Sequence, residues 1–158
     1  MPMDPYKLDK VDRQILQRLQ QDSRASYQEI ARDLIVSGGT IHVRFNKMKE
    51  AGVITGSQIN VDYNRLGLEV CAFVGINLKN AKDYPSALVK LKNFVEVVDI
   101  HYTTGSYSLF IKILARNTKE LHLFMIEKLQ SIPEIQSTET IISLDNPVSR
   151  EGELPLSH

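Results

Sequence analysis

Between positions 37 and 49 the chain reads Ser37-Gly38-Gly39-Thr40-Ile41-His42-Val43-Arg44-Phe45-Asn46-Lys47-Met48-Lys49. Hydroxyls, an imidazole, an amide and three cations are gathered in about four helical turns. On a helix, Ile41, Phe45 and Met48 form one apolar stripe and leave Gly39, Val43, Asn46 and Glu50 opposite it, flanked by His42, Lys47 and Lys49. Such an outward face suits the major groove of double-stranded DNA. Val43 can touch a thymine methyl, Asn46 can pair with an adenine edge, and His42 and Lys47 can reach guanine or phosphate. Ser37, Gly38, Gly39 and Thr40, with the first-turn N–H groups, can hold a phosphate. Arg44 sits nearer the buried stripe, which suits a phosphate clamp better than base reading. Other chemistry is absent from the sequence. The four histidines, His42, His101, His122 and His158, form no two-histidine metal spacing. There is no phosphate loop, no nucleophile elbow and no adjacent nucleophile–base pair.

The elements around this segment form a helix-turn-helix. Leu8, Val11, Ile15, Leu16 and Leu19 recur at helical spacing behind Asp9, a good N-cap, and predict a helix over residues 9–20. Ser26-Tyr27-Gln28-Glu29 has the form of a capping box, opening a second helix with Ile30, Ala31 and Leu34 inward. Ile35-Val36-Ser37-Gly38-Gly39 interrupts it with a tight turn. A third helix then runs from about Gly39 to Glu50 and stops at Ala51-Gly52, a glycine C-cap signal.

From Glu69 the period changes. Strands are predicted over Glu69 to Leu78, Phe94 to Tyr102, Ser108 to Ala115 and Ile135 to Leu144, with helices over Ser86 to Leu91 and Thr118 to Ser131. The order β-α-β-β-α-β is that of a ferredoxin-like domain, with helices on one sheet face and the other face open to a partner. The fold class is therefore α+β, an N-terminal helix-turn-helix followed by a βαββαβ domain. The expected domains are residues 1–57, a linker at 58–68 with a short strand around Gln58 to Val61, a regulatory domain at 69–150, and a frayed tail at 151–158.

Lys plus Arg and Asp plus Glu each total 19, so net charge does not point to a polyanion. Residues 1–57 carry nine basic and seven acidic groups, +2, a weak bias that leaves the DNA argument on the segment above. Cys71 is the only cysteine and lies in an apolar run, as expected of an inert thiol in a reducing compartment. Met1 to Lys7 lack the apolar stretch of a signal peptide, and no window approaches the ~20 apolar residues of a membrane span. The expected location is the cytoplasm, with no cofactor, metal or membrane partner.

Three segments of the head, Leu8 to Leu16, Gly39 to Arg44 and Ala51 to Gly56, resemble the Lrp/AsnC family of feast/famine regulators, in particular its asparagine-responsive branch. So do Ala81 to Leu88, Tyr102 to Gly105 and Ile135 to Thr140 in the second half. The resemblance implies a winged head, a regulatory domain that dimerises through its sheets, and dimers assembling into octamers or related rings. It also implies an amino-acid effector, L-asparagine, bound near Tyr102-Thr103-Thr104-Gly105-Ser106-Tyr107 and the turn from Pro133 to Thr138. The residue types agree with that placement. Gly105 permits close backbone approach, while Thr103, Thr104, Ser106, Gln136, Ser137 and Thr138 supply donors and acceptors, and Glu134 can hold an ammonium. Taken alone, the same residues are ordinary polar hairpin chemistry. Many relatives place proline where this chain has Gly38, so the entry of its recognition helix is less constrained.

Two other functions share these features. An architectural protein that binds DNA with little effector dependence would use the same head. A ferredoxin-like-fold enzyme would use the same second domain, without any catalytic signature to support it.

Overall fold

Asp9 opens α1 (Lys10–Gln21) by accepting from the Asp12 N–H, and the Asp12 side chain reaches back to the Asp9 N–H. Ser26 and Glu29 make the same reciprocal pair before α2 (Tyr27–Leu34). Ser37 caps α3 (Gly38–Glu50) through the Thr40 N–H. In this computed structural model, which describes residues 5–155, the three helices close on Ile15, Leu16, Ile30, Ala31, Ile41 and Met48. The chain ends α2 with Ile35 in the left-handed region at φ 55°, and the Val36 N–H returns to the Ala31 carbonyl. Met1 to Asp4, included in the reading of the leader, lie outside the described residues, as does His158.

The second unit is a four-stranded antiparallel sheet in the order β2-β3-β1-β4, built from β1 (Val70–Leu78), β2 (Val97–Tyr102), β3 (Leu109–Ala115) and β4 (Ile135–Ser143). Two helices, α4 (Tyr84–Lys92) and α5 (Thr118–Leu123), connect these strands, and α5 runs on as a π-helix over Phe124–Leu129. Strict alternation sorts the strands. Ala72, Val74, Ile76 and Leu78 join Leu109, Ile111 and Ile113 in one core with Ala87, Leu91, Leu121, Phe124 and Leu129. Phe73, Gly75 and Asn77 of β1 fall on the other face with Phe110 and Lys112 of β3 and Ser137, Glu139 and Ile141 of β4.

Several expected boundaries move. β2 begins at Val97 because the N–H groups of Phe94 and Val97 bond Leu91 and Phe94 carbonyls, making turns where a strand was expected. The single helix expected over Thr118 to Ser131 is an α-helix followed by the π-helix. No strand forms over Gln58 to Val61 among the described residues, since a strand needs a neighbour to take its alternate N–H and C=O groups. Among the described residues, 5–60 form one unit with 149–155, and Val61–Val148 the other. The segment expected as a frayed tail returns to the head, where Leu154 packs on the apolar cluster and Glu153 pairs with Arg13 at 3.2 Å.

Candidate nucleic-acid interface and effector pocket

Helix α3 turns Ile41 and Met48 inward and leaves Val43, His42, Lys47 and Lys49 exposed. Val43 is 65% exposed, which leaves its methyl groups on the outward face of α3. At the helix start, Ser37 and Thr40 hydroxyls lie 2.9 Å apart, Gly39 is exposed, and a Cβ on Gly38 would stand 3.0 Å from the Gln28 amide. Four residues after His42, Asn46 brings its Nδ2 to 3.1 Å from the His42 Nε2. The His42 ring lies 5.7 Å from that of Tyr27, which also packs on Phe45. Lys47 stands 5.8 Å over the Tyr6 ring.

Arg44 differs from its expected role. Its Nη1 donates to Asp9 at 2.6 Å and to Asp12 at 2.8 Å, tying α3 to the start of α1. The guanidinium is raised further by these carboxylates, and Asp9 is lowered first by the Asp12 N–H and then by Arg44. Its charge is answered inside the head, so the cations left for a backbone contact on α3 are Lys47 and Lys49. Periodicity placed Arg44 near the buried stripe, but nothing in it linked that position to a buried aspartate 32 residues upstream.

In the second unit, a cavity of about 160 Å³ opens at one end of the sheet. Tyr102, Thr103, Gly105, Ser106 and Tyr107 line it, joined by Asn77, Leu78, Ala81 and Ser108. The hairpin is braced by its own polar groups. The Thr103 hydroxyl donates to the Tyr107 carbonyl at 2.8 Å, and the Ser108 N–H donates to the Ile76 carbonyl at 2.8 Å. Gly105 has φ 103°, a conformation that favours glycine. Tyr107 lies across Gly75, where an added Cβ would come within 2.6 Å of the ring, and its hydroxyl donates to Glu139 on β4.

The structure divides the remaining expected effector residues. Thr104 and Gln136 are exposed and do not line the cavity. Ser137 reaches it indirectly, accepting from the Asn77 amide at 3.2 Å. Thr138 pairs with Ile76, a core-facing residue, and is half-buried on the helix side. Glu134, expected to hold an ammonium ligand, already holds one. Lys90 donates to both its oxygens at 2.6 and 2.7 Å and Ser86 to one of them, which lowers its carboxyl to about 2. Asn77, Gly75 and Glu139 were missed because they contribute through register across β1 and β4, which no local pattern reveals.

A helical head with an outward recognition face, followed by an α+β domain with a small polar cavity, defines a ligand-responsive DNA-binding regulator. Residues 8–55 match the family model for winged helix-turn-helix DNA-binding, and residues 71–152 that for the Lrp/AsnC ligand binding domain. Regulatory protein AsnC of Escherichia coli (strain K12) is 52% identical over 94% of this chain and 97% of its own length. That of Haemophilus influenzae is 47% identical over 92% and 97%. The solved structure of E. coli AsnC superposes with a TM-score of 0.90 at 50% identity, covering 94% of this chain and all of that one. A Neisseria meningitidis regulator solved with L-Met shares the fold at a TM-score of 0.86 and 21% identity, over 94% and 97% of the two chains. The chain belongs to the Lrp/AsnC family. It is a DNA-binding transcription regulator that responds to an amino acid, and not an enzyme. Among the described residues no helix is long and apolar enough to cross a membrane.

Proposed function

We propose that the effector is L-asparagine, held in the cavity between the β2–β3 hairpin and the end of β1, and that its binding changes how heads are presented to DNA. The observation that carries this reading is the Asn77 amide in the cavity wall. Its bond to Ser137 leaves Oδ1 and a second N–H able to pair with a side-chain amide, whereas a carboxylate side chain would leave Oδ1 without a donor. A volume of about 160 Å³ suits a small amino acid, being below the ~300 Å³ at which drug-sized pockets begin. The name AsnC carried by the relatives points the same way.

On DNA, Val43 and Asn46 read base edges, while Ser37, Thr40, Lys47 and Lys49 contact the backbone. The protein works in the cytoplasm as a dimer joined through the open sheet face, with dimers assembling to octamers. Effector and DNA then bias one equilibrium and must alter each other's affinity reciprocally. Calorimetry of the full chain with each proteinogenic amino acid tests the effector. Asparagine should bind most tightly, and Asn77→Leu should weaken it at least tenfold with melting temperature retained. Tighter binding of another amino acid, or unchanged affinity in Asn77→Leu, overturns the assignment.

A further inference from the structure

The contact between His42 and Asn46 joins two nitrogens, and its chemistry is restrictive. An amide nitrogen can only donate, so the His42 Nε2 must accept, with the ring proton on Nδ1. A primary amide has two N–H groups and one oxygen. With one N–H held by His42, the other and Oδ1 remain side by side, the pattern that pairs with N7 and the N6 amino group of adenine. Without such a partner the last torsion of asparagine is broad and roughly two-fold, so donor and acceptor exchange places freely.

What holds the imidazole is also visible. His42 and Asn46, four residues apart, are neighbours on one helix face, and the His42 ring packs at 57° to Tyr27, the first residue of α2. Tyr27 in turn lies 5.4 Å from Phe45 and follows Ser26 in the capping box. The start of the second helix thus orients a ring on the third, and that ring orients the amide.

We propose that His42 is a positioning residue for base reading: it fixes the direction of the Asn46 amide and so selects adenine at one position of each half-site. This replaces the direct guanine or phosphate contact expected of His42, and it rests on the reading of Asn46 as a base contact. His42 contributes to the ranking of sequences rather than to affinity in general.

The test uses duplexes selected by the wild-type full chain from a random-sequence pool, followed by every single-base change in the selected site. His42→Phe keeps the ring beside Tyr27 and removes the acceptor. It should lower discrimination for adenine at one position about tenfold, with melting temperature and affinity for unselected duplex unchanged. His42→Gln, whose amide oxygen can still accept from Asn46, should restore it. If His42→Phe melts below wild type, His42→Leu takes its place. Adenine preference that survives in the folded variant while Asn46→Ala abolishes it overturns the role of His42 alone. A wild type without the preference, or an Asn46→Ala variant that keeps it, overturns the base-reading assignment and His42 with it.

Discussion

Asp12 is the one charged side chain buried among the described residues, and its partner Arg44 keeps 31% of its side chain exposed. Removing Arg44 leaves that carboxylate in the head without its cation. Arg44→Ala should destabilise the full chain by about 2 kcal/mol, below the 3–5 of a fully enclosed pair because water still reaches the guanidinium. Denaturant unfolding measures this, and an unchanged midpoint would place the tie outside the stability of the head. A second ion pair gives a pH dependence. Glu134 is lowered to about 2 by Lys90 and Ser86, against about 4.3 for an unfolded glutamate. A depressed carboxyl stabilises the fold above its unfolded value and loses that contribution as pH falls through the folded one. The brace between α4 and the entry to β4 should therefore weaken between about pH 4.5 and 2, and Glu134→Gln should flatten that part of the stability curve. An acid limb identical in wild type and variant would contradict it.

Among the elements, the α2–α3 turn carries visible strain. Ile35 is β-branched, left-handed at φ 55° and 92% exposed, where a glycine would sit without strain. Its left-handed cost, roughly 1–2 kcal/mol, exceeds the entropy that glycine forfeits on folding, about 0.5–1 kcal/mol. Ile35→Gly should stabilise the chain by up to about 1 kcal/mol, read as a higher melting temperature. A lower one would show that Ile35 packs in a way its exposure does not suggest. The sheet has an equally specific requirement at Gly75, over which the Tyr107 ring lies. Gly75→Ala must move that ring and break its bond to Glu139, so asparagine affinity should fall while the core-facing residues of β1 stay packed. Calorimetry showing wild-type affinity would remove Tyr107 from the pocket wall.

At the scale of the whole molecule, the proposed dimer rests on the open sheet face. Phe73 and Phe110 stack at 5.8 Å, Phe110 meets Tyr107 at 6.2 Å, and Ile141 is 47% exposed beside them. An aromatic row thus runs from the uncovered sheet to the wall of the proposed effector cavity. A second copy seated on this face would feel the position of Tyr107, a route by which effector binding can change assembly. Phe73→Asp should shift sedimentation toward monomer and weaken operator binding, since a monomer offers one recognition helix where a dimer offers two. A dimer unaffected by Phe73→Asp would place the interface elsewhere.

Local chemistry determined much of this protein. Capping residues at Asp9 and Ser26, apolar spacing along each helix, and two-residue alternation in the strands were legible because each acts within a few positions. From them came the three-helix head, the β-α-β-β-α-β order and the polar hairpin at Tyr102 to Tyr107. Tertiary structure alone decided which polar groups remain available. Arg44 and Glu134 have the right types for ligand contacts, but folding brings Asp9 and Asp12 to the first and Lys90 and Ser86 to the second. It also brought Asn77 to the cavity wall and laid Tyr107 over Gly75, contacts set by strand register over separations of 30 residues and more. A side chain's chemistry is written in its own position, but its partner is chosen by packing between distant segments.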